Sequence, residues 1–190
     1  MNNIFLSSNT RKIQQIRDMT AHIPGLTMDF RAGNDEREID GPDYLVPIYK
    51  ALNNNVGDII DDTQLIVVDR PDWNPIYIKW NEEHLIADPT CAGSEVIERV
   101  WLAQKTNTHI NLYLGEQRGT WRVPTRRDAF GYNGGFVPHG EDRDLDQIIR
   151  SGNYFNHSSR FRALTNLAKQ QTSLSIPIAD LPPWTGAWQT

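Results

Sequence analysis

The chain has 190 residues, of which 38% are hydrophobic and 23% charged, and these proportions are ordinary for a globular protein of one domain or two closely joined lobes. The net charge of −5 argues against broad electrostatic binding to nucleic acid. The single cysteine, Cys91, excludes an intrachain disulfide and a cysteine-based zinc site. No apolar window approaches the roughly 18 residues of a membrane span, so no membrane partner and a cytoplasmic location are expected.

The first half of the chain alternates between strand and helix patterns. Residues 3–7 form a short apolar run typical of a buried strand, and a helix is expected from Thr10, capped by Asn9 or by Thr10 itself. Residues 26–30 alternate and predict a second strand, followed by a polar loop at 31–37.

A second helix is expected after Gly41, with Pro47 either in its first turn or bending it. Its apolar face would consist of Leu45, Ile48, Tyr49 and Leu52. Residues 65–68 are a β-branched run of the kind found in strands covered on both faces. The Pro- and Asp-rich residues 69–75 then predict a loop.

The second half continues the alternation. Residues 94–104 predict an amphipathic helix, because Val96, Ile97, Val100 and Trp101 fall on one helical stripe. Residues 110–114 alternate as a half-buried strand, and 119–123 are expected to pair with it as a hairpin partner.

Residues 145–150 and 158–170 predict the last two helices. The Pro- and Trp-rich residues 173–190 form a tail that we expect to be extended and docked, whereas residues 1–172 hold the main domain. Alternating elements with buried β-branched runs indicate an α/β fold with a mixed sheet.

The first candidate site is the turn between the first strand and the first helix. Ser7, Ser8, Asn9 and Thr10 lie where the N–H groups of a helix N-terminus attract anions, and Lys12 adds a positive charge one turn later. This pattern predicts a phosphate site, although an ordinary N-cap with a surface lysine has the same appearance.

An acidic pair, Asp61-Asp62, stands just before the buried run at 65–68. Mg²⁺ needs only one or two protein carboxylates, because it keeps its waters and the oxygens of its substrate. The pair therefore predicts a magnesium site in which the second carboxylate orients or deprotonates water, with Glu38 as a third candidate acid. A solvated loop is the alternative.

Phe130-Gly131-Tyr132 is a candidate stacking platform for a flat base, and Arg160 and Arg162 could contact a keto oxygen or a phosphate. Core aromatics at a turn and a solvated helix face are the respective alternatives. A nucleoside triphosphate is the ligand that requires a phosphate turn, a metal and a base platform together.

Six ordered motifs between residue 3 and about residue 167 resemble the inosine triphosphate pyrophosphatase family, which hydrolyses non-standard purine nucleoside triphosphates to the monophosphate and pyrophosphate. The motifs are Ser8-Asn9-Thr10-Arg11-Lys12, Glu38-Ile39-Asp40-Gly41 with Lys50 nine residues later, Asp61-Asp62-Thr63, residues 75–80 with Lys79, Phe130-Gly131-Tyr132-Asn133 and Ser158-Ser159-Arg160-Phe161-Arg162-Ala163.

The resemblance implies a role for each motif. Lys12, Lys50 and Lys79 would neutralise the triphosphate, while Glu38 and Asp62 would hold Mg²⁺. Asp61 or Asp62 would activate the water that attacks the α-phosphorus. Ser8, Asn9, Thr10, Tyr132 and Ser158 would also line the substrate site, with Phe130 stacking on the base and Arg160 contacting its edge or the sugar.

The departures from the family pattern fall at the base-recognition end. Asn133 stands where the family has aspartate, Ser159 where it has histidine, and Tyr154 where it has lysine. Asparagine donates as well as accepts hydrogen bonds, and the other two changes remove donors. We therefore expect pyrophosphohydrolase activity with an altered base preference.

The resemblance further implies an elongated central sheet, two lobes with a nucleotide-binding cleft between them, and a homodimer. A catalytically idle nucleotide sensor on the same scaffold is the main alternative, which pyrophosphate release would exclude. A module that stacks nucleic-acid bases on the aromatic turn is a second alternative, which the acidic net charge disfavours.

Overall fold

The computed structural model describes residues 3–33, 37–124 and 129–189 and shows a mixed α/β fold, as the sequence predicts. The strands are β1 (Ile4–Ser7), β2 (Asp29–Ala32), β3 (Asp58–Val67), β4 (Glu95–Lys105), β5 (His109–Trp121), β6 (Phe136–Pro138) and β7 (Leu174–Pro177). The helices are α1 (Thr10–Thr20), α2 (Leu45–Leu52), α3 (Ile78–Ala87), α4 (Leu145–Arg150) and α5 (Ser159–Ala168). In this described part of the chain, no helix is long and apolar enough to cross a membrane.

The strands form one seven-stranded sheet in the order β2-β1-β3-β4-β5-β6, with β7 also paired to β5. Strand β1 pairs in parallel with β2 and β3, whereas β5 pairs antiparallel with β6 and β7. The sheet is therefore mixed.

The chain divides into two compact units, each with its own core. Unit 1 consists of Met1–Asp62, Val100–Gly115 and Arg160–Thr190, and unit 2 of Thr63–Arg99 and Glu116–Ser159. The unit 1 core includes Leu6, Ile48, Ile60, Trp101 and Leu112, and the unit 2 core includes Leu65, Val96, Trp121, Phe136 and Leu145.

The helix predicted at 94–104 is wrong, because these residues form strand β4. Every residue of β4 except Glu95, Arg99 and Lys105 is buried, so both faces of this strand, which lies between β3 and β5, are covered. A strand covered on both faces has an almost continuous apolar run. The helical spacing of its apolar residues is therefore a coincidence.

Three smaller predictions also need correction. The acidic pair lies inside β3, which begins at Asp58, and does not precede a strand. Residues 119–121 belong to β5 itself, so 119–123 is not a hairpin partner of 110–114. The second strand is Asp29–Ala32, so it begins three residues later and ends two residues later than the predicted strand at 26–30.

Helix α3 has no counterpart among the predicted elements. Of its ten residues only Asn81 and Leu85 are buried, so its apolar and polar faces differ little in sequence. Pro47, by contrast, is the third residue of α2, which agrees with a place in the first turn.

Candidate active site

Two adjacent carboxylates on β3 form the centre of a charged network in unit 1. Asp61 and Asp62 are both buried, and successive residues of a strand point to opposite faces. Accordingly, each carboxylate has its own cationic partners.

Asp61 is held by two cationic side chains. The Lys12 ammonium lies 3.0 Å from Asp61 Oδ1, and Arg160 Nε and Nη2 each lie 3.0 Å from Asp61 Oδ2. Arg160 Nη1 also donates to Gln15 Oε1 at 2.7 Å. Burial raises the pKa of Asp61, but the Lys12 and Arg160 charges outweigh it and the pKa is lowered.

Asp62 shares one cation with Glu38. The Lys50 ammonium lies 3.0 Å from Asp62 Oδ1 and 2.5 Å from Glu38 Oε1. Burial lowers the pKa of Lys50, but the two carboxylates outweigh it and the net pKa is raised. Burial also raises the pKa of Asp62, as does the negative charge of Glu38, and Lys50 does not fully offset them.

The predicted phosphate turn joins β1 to α1. Asn9 caps the helix, because its Oδ1 accepts from the backbone N–H groups of Arg11 at 3.0 Å and Lys12 at 3.2 Å. These two N–H groups are therefore already paired, which corrects the expectation that the N–H groups at this helix N-terminus are available to an anion. Ser8 and Thr10 are exposed at the turn, and Lys12, in the first turn of α1, directs its ammonium to Asp61.

Glu38 and Asp62 are the carboxylates that could hold a metal. No group of three or more His, Cys, Asp or Glu side chains suited to a metal occurs within residues 3–33, 37–124 and 129–189. The two carboxylates nevertheless converge on one ammonium, so this position already stabilises positive charge. Because Mg²⁺ takes few protein ligands, the pair fits a magnesium site of low protein coordination.

The aromatic turn, Phe130-Gly131-Tyr132, lies in unit 2. Phe130 is 66% exposed, and Gly131–Gly134 forms a 3₁₀ turn directly after it. Gly131 has φ of +60°, a backbone conformation that residues with a Cβ rarely adopt, and this favours glycine. A Cβ there would also lie 3.3 Å from Glu82 Oε2, so the Glu82 side chain would have to shift slightly. Asn133 sits in this turn, where its backbone N–H donates to the carbonyl of Phe130.

Glu98 is a residue that the sequence predictions missed. It is 4% exposed, and its two oxygens accept from the hydroxyl of Tyr132 at 2.5 Å and from Ser159 Oγ at 2.6 Å. An acidic residue inside the apolar run at 96–103 is the signal that could have identified it. Glu98 thus joins the aromatic turn to Ser159, the first residue of α5.

The remaining predicted residues are distributed as follows. Ser158 is fully buried, and Tyr154 packs against the core of unit 2. Lys79 is exposed in the first turn of α3, also in unit 2. The structure thus brings Lys12, Glu38, Lys50, Asp61, Asp62 and Arg160 together in unit 1 and places Lys79, Phe130, Tyr132, Asn133, Tyr154, Ser158 and Ser159 in unit 2.

The fold is similar to that of a solved protein. No protein-family model and no curated protein sequence matches the chain. The structure of the Ham1 protein of Staphylococcus aureus superposes with a TM-score of 0.64 at 16% sequence identity, and the alignment covers 88% of this chain and 97% of that one. At this identity the likeness establishes a shared fold.

Proposed function

We propose that this chain is a Mg²⁺-dependent nucleoside triphosphate pyrophosphohydrolase that converts a (d)NTP to the (d)NMP and pyrophosphate. The observation that carries the proposal is the network of Lys12, Lys50, Asp61, Asp62 and Arg160 in unit 1. The six sequence motifs and the fold shared with the Ham1 protein support it. A homodimer is also proposed, on the motif resemblance alone.

The charges of the network explain why a divalent cation would be needed. Lys12, Lys50 and Arg160 balance Glu38, Asp61 and Asp62 in formal charge. A triphosphate entering this balanced network brings several negative charges that its lysines cannot neutralise alone. When bound by Glu38 and Asp62, Mg²⁺ would supply that positive charge and polarise the phosphate oxygens.

The proposed chemistry is an in-line displacement. The oxygen of a water forms a bond to the α-phosphorus, the bond from that phosphorus to the bridging oxygen breaks, and pyrophosphate leaves with the bonding electrons. Asp62 is the better candidate to accept the water proton, because it shares its salt-bridge cation Lys50 with Glu38, whereas Asp61 is paired with both Lys12 and Arg160. Asp61, whose pKa is lowered, is better suited to orient Lys12 and Arg160.

The role of Arg160 follows from the same contacts. Its guanidinium engages Asp61 and Gln15, which favours a role in organising the acidic centre over contact with the edge of a base. Arg160 would then fix the rotamer of Asp61 on one side while Lys12 fixes it on the other.

The base-recognition end supports an altered selectivity. Ser159 donates its hydroxyl proton to Glu98, so it does not supply the N–H donor of the family histidine. Tyr154 likewise stands where the resemblance expects a lysine donor, whereas Asn133 adds a donor where it expects an aspartate acceptor, so the hydrogen-bonding groups that would read a 6-keto purine are changed. We therefore propose that dITP and XTP are not the preferred substrates.

A panel of ribo- and deoxyribonucleoside triphosphates, including dITP and XTP, tests both parts of this proposal. Pyrophosphate release with Mg²⁺ is measured for each nucleotide. Release from at least one common nucleotide at a rate above that for dITP and XTP is expected. A wide preference for dITP and XTP would contradict the altered selectivity, and no release from any nucleotide would contradict the activity.

A further inference from the structure

The segment that carries Glu38, residues 37–41, has no strand or helix of its own. An isolated antiparallel β-bridge pairs Ile39 with Trp188 of the C-terminal tail. The position of the Glu38 carboxylate therefore depends on what holds this segment.

The tail supplies hydrogen bonds along the segment. The backbone N–H of Gln189 donates to the Glu38 carbonyl at 2.9 Å, and Gln189 Nε2 donates to the Ile39 carbonyl at 3.0 Å. In return, the N–H of Asp40 donates to the Ala187 carbonyl at 2.9 Å. The tail is thus hydrogen-bonded to three successive residues, Glu38, Ile39 and Asp40.

Trp184 packs closely against the same segment. A Cβ on Gly41 would lie 2.8 Å from Trp184 Cη2, and a Cβ on Gly186 would lie 2.5 Å from Trp184 Cζ2. The indole N–H donates to the Ala187 carbonyl at 2.7 Å. The ring therefore occupies a position that only glycine allows on both sides.

The tail also contacts the helix that carries Lys50. Tyr49 donates through its hydroxyl to the Pro182 carbonyl at 2.8 Å, and its ring meets Trp184 edge-on at 5.5 Å between centroids. At its other end the tail is anchored by the pairing of β7 with β5. The tail thus connects the sheet, α2 and the Glu38 segment, all within unit 1.

A pocket of about 220 Å³ lies where these parts meet, lined in part by Arg37, Tyr49, Lys50, Trp184 and Trp188. Ligand pockets are usually about 300–1,000 Å³. Its small size favours a packing role for the tail over a second nucleotide site.

We propose that Trp184 is a positioning residue, which holds Glu38 beside Lys50 and Asp62 so that the two carboxylates can share one divalent cation. The inference rests on the proposed function, because it requires a metal at Glu38 and Asp62. Residues that orient metal ligands typically change metal affinity by about 10–100-fold when they are removed. The tail is then part of the active centre.

The test measures Mn²⁺ binding to the full chain without nucleotide. The electron paramagnetic resonance signal of free Mn²⁺ reports how much of the ion remains unbound. We expect Trp184→Leu to weaken Mn²⁺ binding about tenfold, near the lower limit for such residues. Trp184→Phe, which retains a ring against Tyr49, should recover part of the loss. Gln171→Ala, an exposed glutamine outside these contacts, is the matched control and should bind as the native chain does.

A double-variant cycle separates positioning from general destabilisation. Glu38→Gln should itself weaken Mn²⁺ binding, and Trp184→Leu should add less than twofold to that loss, because it acts through Glu38. Additive losses of Mn²⁺ affinity in the double variant, or native Mn²⁺ affinity in Trp184→Leu, would overturn the inference. The proposed function would still stand if the native chain released pyrophosphate. If the native chain bound no Mn²⁺, the inference would be overturned too, and the absence of pyrophosphate release would show that the function had also failed.

Discussion

Asp61 and Asp62 are neighbours on β3, but their pKa values are shifted in opposite directions. Both are buried, so the difference arises from their partners. Asp61 meets two cations of its own, Lys12 and Arg160, whereas Asp62 shares Lys50 with Glu38. The same strand thus presents Asp61, whose partners favour its ionised form, next to Asp62, which has a higher proton affinity.

Replacing Asp62 should remove activity without unfolding the protein. Asp62→Ala deletes both a proposed metal ligand and the proposed proton acceptor, so we expect kcat to fall at least about 100-fold, the scale of one preorganised charge-stabilising group. Steady-state pyrophosphate release measures the effect, with circular dichroism to verify the fold. Asp72→Asn, at an exposed carboxylate, is the control; near-normal turnover in Asp62→Ala would exclude the assigned role.

Lys12 should contribute mainly to phosphate binding. Lys12→Met keeps the length of the side chain but removes the charge, so we expect KM for the preferred triphosphate to rise about tenfold, equivalent to about 1.4 kcal/mol. Lys169→Met, at an exposed lysine after the end of α5, should leave KM unchanged. Equal KM values for the two variants would remove Lys12 from the substrate site.

Acid titration should distinguish the two aspartates by their effects on stability. The lowered pKa of Asp61 stabilises the fold above the ordinary carboxyl pKa of about 3.9, and this contribution is lost as pH falls through the lower folded value. At pH 7, Asp61→Asn should therefore reduce the free energy of unfolding by about 3 kcal/mol, the lower end for breaking a buried ion pair, because Lys12 stays partly exposed.

The deficit of Asp61→Asn should narrow as pH falls from about 4, where the carboxyl group of the unfolded chain becomes protonated, toward the lower folded pKa of Asp61. Asp62 has a raised pKa, so its ionisation opposes folding and Asp62→Asn should destabilise the protein less at pH 7. Urea unfolding of both variants across this pH range measures the difference. Equal losses of unfolding free energy for the two variants at pH 7 would contradict the opposite pKa shifts of Asp61 and Asp62.

Phe130 should affect affinity for nucleotide and leave stability almost unchanged. If its exposed ring stacks on the base, Phe130→Ala should lose about 1–3 kcal/mol of binding, that is, five- to 150-fold in KM. Because little of the ring is buried, the free energy of unfolding should change by under about 0.5 kcal/mol. Ile86→Ala, at an exposed residue of α3, is the control; an unchanged KM in Phe130→Ala would exclude stacking.

Much of the fold can be predicted from local patterns. The N-cap at Asn9, helix α4 and the buried part of β3 follow from capping chemistry and hydrophobic periodicity. Strand β4 cannot be predicted in this way, because a strand buried on both faces has a nearly continuous apolar run and no alternation of apolar and polar residues. Helix α3 cannot either, because it buries only Asn81 and Leu85 and so has little periodicity.

The candidate site, too, can be predicted from the sequence only in part. The sequence predicts Lys12, Lys50, Asp61 and Asp62 as a group through motif resemblance, but the sharing of Lys50 between Asp62 and Glu38 depends on the fold of residues far apart in the chain. Glu98 was missed because its hydroxyl partners, Tyr132 and Ser159, lie 34 and 61 residues away. An acidic residue within an apolar run marks the position of Glu98, but its contacts with distant residues leave no local pattern.

The most direct test follows heavy oxygen from labelled water into the products of the preferred triphosphate, with native chain and Mg²⁺, by mass spectrometry. We predict that the label appears in the nucleoside monophosphate and not in the pyrophosphate, because water attacks the α-phosphorus. Release of nucleoside diphosphate and labelled inorganic phosphate, or bound nucleotide without any product, would contradict the proposed activity.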